Sequence, residues 1–209
     1  MPLPDNERNG PGCYVTGTSM ARQRTFVAID LNAEVRRRAK TLLTALSRTT
    51  SGVRWVAPDQ LHVTLKFLGD VDDTRFYAVC EAVRKAVRGR TPFSLACRGV
   101  GAFPDLSRPR TVWLGLDDPE GQLADLQAEV ERQLRTLDFP EENRPFRAHV
   151  TLGRVQEHAR DLESLQAALE DQADFDARWL TVESCTVYAS ELRRAGPVYS
   201  VLGRIALGG

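Results

Sequence analysis

Hydrophobic and polar residues alternate strictly in two short stretches of the chain, LHVTL around His62 and AHVTL around His149. In each stretch the histidine and the threonine two positions later, Thr64 or Thr151, are separated by apolar residues. Successive side chains of a β-strand point to opposite faces. The pattern therefore predicts two strands that each bury their apolar residues and show an imidazole beside a hydroxyl on the other face.

The sequence around these strands repeats as well. The two histidines lie 87 positions apart (149 − 62), and the apolar segment from residue 24 aligns with the one from residue 110 at an offset of 86 (110 − 24). Residues 93–97 align with residues 180–184 at an offset of 87 (180 − 93). Two units kept in register in this way are expected to fold alike and to face each other across one cleft. The predicted repeats cover about 24–103 and 110–190, followed by a closing strand at 198–207.

Between the strands, apolar residues recur at helical spacing, and Asn32 is placed to cap the first helix. Each unit thus has the order strand, helix, strand, helix, strand. Taken twice, this order predicts an α+β fold that is duplicated and bilobal, with two antiparallel-rich sheets facing across a central groove and helices outside. The apolar stripe of the first predicted helix consists of Val35, Ala39, Leu42, Leu43 and Leu46.

The composition agrees with one globular domain, and it disfavours binding of a long nucleic acid through the phosphates of the nucleic-acid backbone. The 209 residues contain 28 Lys plus Arg and 28 Asp plus Glu, a balance unlike the basic surface that grips many phosphates. We expect residues 1–22 to be a disordered leader and 23–209 to be the bilobal domain. No apolar run approaches a membrane span. Cys80, Cys97 and Cys185 are predicted core residues of a monomer in a reducing cytoplasm.

Two imidazoles, each beside a hydroxyl, suit the in-line displacement of a phosphodiester. A base takes a proton from the attacking water and an acid on the opposite side protonates the leaving oxygen. Histidine titrates in the range that both tasks need. A metal site is disfavoured because neither motif carries Asp, Glu or Cys beside its histidine, so we expect no metal and no cofactor.

The motifs and the phrases around them resemble one known family. The supporting phrases are FVAID from Phe26, HVTLKFLG from His62, GAFP followed by RPR from Gly101, and FRAHVTLGR from Phe146. They are similar to those of the two-histidine phosphoesterase superfamily and, within it, of the RNA 2′,3′-cyclic phosphodiesterases, also called 2′-5′ RNA ligases. The resemblance covers roughly residues 23 to 207. Two H-x-T motifs at this separation, with those phrases in order, are specific.

The resemblance implies that His62 and His149 are the general acid and base and that Thr64 and Thr151 donate hydrogen bonds to the phosphate. It also implies that Arg154 contacts the phosphate. Strict alternation would put Arg154 on the side away from His149, so this role requires the strand to end or bulge near Gly153.

The parity of the strands adds two further candidates for substrate binding. Strict alternation places Arg147 on the face of His149 and Lys66 on the face of His62. Both are cations, which suits contact with a phosphate.

The implied reaction opens a 2′,3′-cyclic phosphate on an RNA end or a nucleotide to a 2′-phosphomonoester, with the 3′ oxygen leaving. The 2′-5′ ligation that the resemblance also implies would follow the same trajectory, with an RNA 5′-hydroxyl in place of water. We predict His149 as the base toward water and His62 as the acid toward the leaving oxygen. Two alternatives remain open at the sequence level. One is another two-histidine activity, on 2′-5′ oligoadenylate or on an ADP-ribose cyclic phosphate. The other is a non-catalytic module that binds RNA ends.

Overall fold

The computed structural model describes residues 22–193 and 196–208. The predicted leader lies outside this range except for Arg22. In these two ranges no helix is both long enough and apolar enough to cross a membrane. The strands are β1 (Gln23–Asp30), β2 (Val53–Trp55), β3 (His62–Val71), β4 (Phe93–Phe103), β5 (Thr111–Asp117), β6 (His149–Val155), β7 (Asp176–Val182), β8 (Ser184–Arg193) and β9 (Gly196–Ala206). The α-helices are α1 (Ala33–Leu46), α2 (Phe76–Val87), α3 (Gln122–Arg135) and α4 (Leu162–Asp171).

The strands form one antiparallel sheet in the order β7-β4-β5-β6-β3-β1-β8-β9, with β2 paired to β6. Strands β3 and β6 pair only through Val63 and Val150, and this narrow contact divides the sheet into two lobes. The first lobe consists of β3, β1, β8 and β9, and the second lobe of β6, β5, β4 and β7. The predicted α+β, bilobal class is confirmed, and the two predicted sheets are continuous at their junction.

The structure corrects two details of the predicted repeat. Residues 93–97 and 180–184 are not equivalents, because Leu95 pairs with Leu180 between β4 and β7. Strand β4 leaves the first lobe to pair with β5, and β8 takes the corresponding place beside β1. The offset between β1 and β5 is also one residue shorter than predicted. His62 pairs with Asp30 and His149 pairs with Gly115, so these partners correspond at an offset of 85 (115 − 30).

The helices pack on the apolar face of the sheet and leave the histidine face open. The predicted stripe of α1 is buried in full, and the side chain of Asn32 accepts the predicted cap hydrogen bond from the Val35 amide at 2.9 Å. Cys80, Cys97 and Cys185 are buried in the same core, as predicted. Burial raises the pKa of Cys97 and that of Cys185 to about 12, so both thiols are held in the protonated form.

Candidate active site

The same local hydrogen bond orients both histidines. The Nδ1 atom of His62 lies 2.7 Å from the backbone oxygen of Gln60, and the Nδ1 atom of His149 lies 2.7 Å from the backbone oxygen of Arg147. A carbonyl oxygen only accepts, so each Nδ1 carries the hydrogen and donates. In the neutral ring, Nε2 is then the unprotonated nitrogen, which is the form of a general base.

Each histidine lies across from the threonine of the other motif. The Val63–Val150 pair is antiparallel, and extending its register by one residue puts His62 opposite Thr151 and Thr64 opposite His149. These four side chains are half-buried, whereas the apolar residues between them are buried. The predicted alternation is therefore present in both strands, and the two imidazoles and two hydroxyls share one face at the junction of the lobes.

Strand β6 contains the bulge that Arg154 needs in order to face the groove. The pairing with β5 skips Leu152, which makes it the extra residue, and the alternation of side chains shifts by one after it. Arg154 consequently shares the face of His149, and its positive charge contributes to lowering the pKa of that histidine. A Cβ on Gly153 would lie 2.7 Å from the Trp55 ring, so glycine allows β2 to approach here.

Strand β3 bulges in the same way, with the opposite consequence for Lys66. The pairing with β1 skips the preceding residue, so Lys66 pairs with Val27 and points into the helix-covered side of the sheet. Its side chain is 4% exposed, forms an ion pair with Glu131 of α3, and donates to the backbone oxygen of Pro140 at 2.7 Å. The prediction that Lys66 lies on the face of His62 is wrong, because strict alternation took no account of the bulge.

After the bulge, Phe67 rather than Lys66 faces the groove. The pattern of alternation in the sequence did not identify Phe67. Phe67 is 65% exposed and pairs with Phe26, with the two ring centroids 6.0 Å apart. It lies 87 positions before Arg154 (154 − 67), the offset of the two histidines. The repeat could therefore have identified Phe67 as the counterpart of Arg154 if a bulge had been assumed in both strands.

Arg147 lies beside His149 at the exposed rim of the groove. Its guanidinium carbon is 5.4 Å from the centroid of the Phe103 ring, and that ring meets the His149 imidazole edge to face at 5.1 Å. Its side chain is exposed and is held by this cation–π contact. The structure thus brings Arg147 close to His149. Because Arg147 precedes β6, the parity of the strand does not account for this position, and its contact with the substrate stays a prediction.

An aromatic cluster surrounds His62. The Phe26 ring stacks on its imidazole at 4.9 Å, and the Tyr199 ring meets it edge to face at 5.6 Å. Burial is the largest influence on the His62 imidazole and lowers its pKa below the ordinary value; Arg36 and His149 lower the pKa further. The hydrogen bond to the Gln60 carbonyl and the charge of Asp30 oppose this shift.

The carboxylate of Asp30 is fixed at the end of β1, where it pairs with His62. It accepts hydrogen bonds from Thr186 at 2.9 Å, from Tyr188 at 2.5 Å and from Arg204 at 2.8 Å. These donors hold a negative charge beside one histidine. The corresponding position in the second lobe is Gly115, so His149 has no equivalent carboxylate at this site.

The pKa of His149 is also lowered, mainly by burial. The hydrogen bond to the Arg147 carbonyl raises this pKa, and the charge of Arg154 lowers it. The two imidazoles therefore share burial and a carbonyl partner but differ in the neighbouring charge. Within the described part of the chain, no group of three or more His, Cys, Asp or Glu residues is arranged to hold a metal ion.

Two facing strands, each with an inward imidazole and a hydroxyl, on a duplicated antiparallel scaffold define a two-histidine phosphoesterase. A family model described as "LigT like Phosphoesterase" matches the chain twice in succession, at residues 29–113 and 114–199. The chain belongs to this LigT-like phosphoesterase family.

Named relatives and solved structures agree. The RNA 2′,3′-cyclic phosphodiesterase of Thermotoga maritima is 35% identical over 179 residues, 86% of this chain and 92% of that protein. That of Methanothermobacter thermautotrophicus is 33% identical, over 85% of this chain and 95% of that protein. The structure of E. coli LigT complexed with 3′-AMP is similar with a TM-score of 0.70 and 31% identity, and the match covers 90% of this chain and 99% of that one. The structure of TT0787 of Thermus thermophilus gives a TM-score of 0.73 and 26% identity, with 89% of this chain and 98% of that one covered.

Proposed function

We propose that this protein hydrolyses the 2′,3′-cyclic phosphate of RNA ends and nucleotides to a 2′-phosphomonoester, without a metal ion. The observation that carries the proposal is the matched pair of Nδ1 hydrogen bonds to Gln60 and Arg147, which leaves the Nε2 atom of each histidine available for proton transfer. Relatives that match most of this chain bear the name of this activity.

In the proposed mechanism His149 is the base and His62 is the acid. The Nε2 atom of His149 takes a proton as a water oxygen attacks phosphorus, and the bond from phosphorus to the ribose 3′ oxygen breaks. The protonated Nε2 of His62 gives its proton to that 3′ oxygen, so the phosphate remains on the 2′ oxygen. The charges favour this assignment, since Asp30 stabilises an imidazolium at His62 whereas Arg154 disfavours one at His149.

The remaining groove residues stabilise the charge that develops on the phosphoryl oxygens. The hydroxyls of Thr64 and Thr151 donate hydrogen bonds from fixed strand positions, and the guanidinium groups of Arg154 and Arg147 supply positive charge. An RNA 5′-hydroxyl in place of water would attack phosphorus along the same path and, with the 3′ oxygen again leaving, would form a 2′-5′ linkage. Buried, protonated thiols and balanced charge are consistent with a monomer in a reducing cytoplasm.

The direct test is hydrolysis of 2′,3′-cyclic AMP in EDTA, with the product identified by phosphorus NMR. We expect 2′-AMP from the wild-type protein and its loss in His62→Ala and in His149→Ala. Formation of 3′-AMP would reverse the assigned leaving oxygen. The absence of turnover, both with this nucleotide and with an oligonucleotide that ends in a cyclic phosphate, would reject the proposed activity.

A further inference from the structure

A cavity of about 350 Å³ opens beside His62, between the ends of β1 and β3 and the β8–β9 hairpin. Its walls include Asp59, Gln60, Tyr188 and Tyr199. A volume in this range suits a small-molecule ligand of nucleoside size. We propose that the cavity binds the nucleoside that carries the cyclic phosphate, and that the Asp59 carboxylate makes guanine the preferred base. This inference rests on the proposed function, because it names the part of the substrate that lies outside the reacting phosphate.

The location of the cavity fits the proposed direction of the reaction. His62 lines both the cavity and the groove, so a nucleoside in the cavity places its ribose on the His62 side of phosphorus. The leaving 3′ oxygen belongs to that ribose, and the attacking water must approach from the opposite side. The opposite side of the groove is that of His149.

The cavity wall offers hydrogen-bond acceptors that have no donor yet. Among the residues that the structure describes, no donor is paired with the carboxylate of Asp59. Gln60 uses its side-chain nitrogen on the Pro197 carbonyl at 2.5 Å, which leaves its side-chain oxygen available. The Asp30 carboxylate, by contrast, already accepts from three side chains. A wall of this kind disfavours a phosphate and favours a base edge rich in N–H groups.

Guanine matches these acceptors better than the other bases do. Its N1–H and N2–H groups are adjacent donors that fit the two oxygens of one carboxylate, in the way that a guanidinium does. Adenine and cytosine present a single amino group. Uracil presents one N–H between two carbonyl oxygens, and a carboxylate such as that of Asp59 repels those oxygens.

The turn that carries Asp59 is fixed before any ligand arrives. Arg36 of α1 donates to the backbone oxygens of Pro58 at 3.1 Å and of Asp59 at 2.7 Å, and the bond from Gln60 to Pro197 holds the same turn from the other side. A preorganised turn loses little conformational entropy on binding. Beside it, the Tyr199 ring supplies an aromatic surface on which any base can stack.

The test compares kcat/KM for the 2′,3′-cyclic phosphates of guanosine, adenosine, cytidine and uridine in the wild-type protein and in Asp59→Asn. We expect the wild-type protein to prefer the guanosine substrate over the uridine substrate about tenfold. The Asp59→Asn variant should lose this preference mainly because its kcat/KM for the guanosine substrate falls. Its kcat/KM for the uridine substrate should rise, by no more than about twofold, because the repulsion of the uracil oxygens is removed. The matched control is Asp174→Asn, an exposed aspartate in the loop before β7 that does not line the cavity.

A separate variant tests the stacking surface. Tyr199→Leu should lower kcat/KM for all four nucleotides about tenfold and to the same extent, because stacking does not depend on the identity of the base. A loss in Tyr199→Leu that is confined to one nucleotide would contradict this part of the proposal.

The outcomes separate failure of this inference from failure of the proposed function. Equal turnover of the four nucleotides, unchanged in Asp59→Asn, would overturn the guanine preference and leave the phosphodiesterase activity intact. If no cyclic nucleotide is hydrolysed, calorimetry with guanosine 2′-monophosphate and uridine 2′-monophosphate still decides the question. Tighter binding of the guanosine compound, lost in Asp59→Asn, supports the cavity assignment; equal binding or none rejects it.

Discussion

The two histidine strands begin alike and diverge after their bulges. Up to Leu65 on β3 and Leu152 on β6, each strand shows a histidine held through Nδ1 by the carbonyl two residues earlier, and a threonine on the same face. Both bulges occur at those leucines, which are 87 positions apart (152 − 65). The shared part is what an in-line displacement needs on both sides of phosphorus, and the part after the bulge is free to differ.

The differences concern charge. In the first lobe the residue that re-enters the groove after the bulge is Phe67, and the partner strand supplies the Asp30 carboxylate. In the second lobe the corresponding positions hold Arg154 and Gly115. One imidazole thus has an anion as neighbour and the other a cation. A nearly symmetric scaffold can in this way support two unequal tasks, proton donation and proton acceptance.

Substitution of the histidines should have the largest effect on activity. A substrate with a different leaving group should then distinguish the role of His62 from that of His149. We expect His62→Ala and His149→Ala each to lower kcat/KM for 2′,3′-cyclic AMP about 10³-fold. With a nucleoside 4-nitrophenyl phosphodiester, whose leaving group needs no proton, His62→Ala should recover most of its rate and His149→Ala should not. Equal recovery of both variants, measured by release of 4-nitrophenolate, would refute the assignment of acid and base.

The next largest effect should separate Arg154 from its counterpart Phe67. Loss of a fixed donor to the developing charge typically costs about 10²-fold in rate, and we expect this for Arg154→Ala, mainly in kcat. Phe67→Ala should alter kcat less than about threefold, because no charge is removed, and its exposed ring makes it a control that folds. Steady-state kinetics of both variants checks the difference. Similar losses in kcat would mean that the groove does not distinguish the two positions.

A smaller effect should follow from Asp30→Asn, and it should depend on pH. Burial has the largest effect on the pKa of His62 and lowers it, as do Arg36 and His149; the hydrogen bond to the Gln60 carbonyl and the charge of Asp30 raise it. Without the carboxylate, His62 loses its proton at a lower pH, so the alkaline limb of the kcat/KM profile should move to lower pH. We expect a loss of about tenfold at pH 7.5 and little change at pH 5. The control Thr186→Val removes one hydrogen bond to Asp30 and keeps the charge of the carboxylate, so the alkaline limb should stay in place. If Asp30→Asn lowers kcat/KM by the same factor at every pH, the electrostatic role of Asp30 is contradicted.

Local patterns in the sequence predicted the fold class, the stripe of α1, its Asn32 cap and the face of each histidine. Gly153 marked the bulge that turns Arg154 into the groove. The equivalent bulge on β3 appears in the register of its pairing with β1, and no glycine directly follows Leu65 to mark it in the sequence. The positions of Lys66 and Phe67 were therefore not predictable from alternation. The exchange of β4 into the second lobe depends on long-range pairing, which periodicity does not report.

The smallest effect on activity should be that of Lys66, in contrast to Arg154. Lys66→Ala should leave kcat/KM within about twofold of wild type, because the ammonium faces Glu131 and the Pro140 carbonyl on the helix side of the sheet. It should lower the free energy of unfolding by about 3 kcal/mol, measured by urea denaturation, since it leaves a mostly buried carboxylate without its cation. The double variant Lys66→Met with Glu131→Leu should regain most of this stability. A variant at Lys66 that unfolds normally but has lost turnover would show that this lysine reaches the phosphate after all.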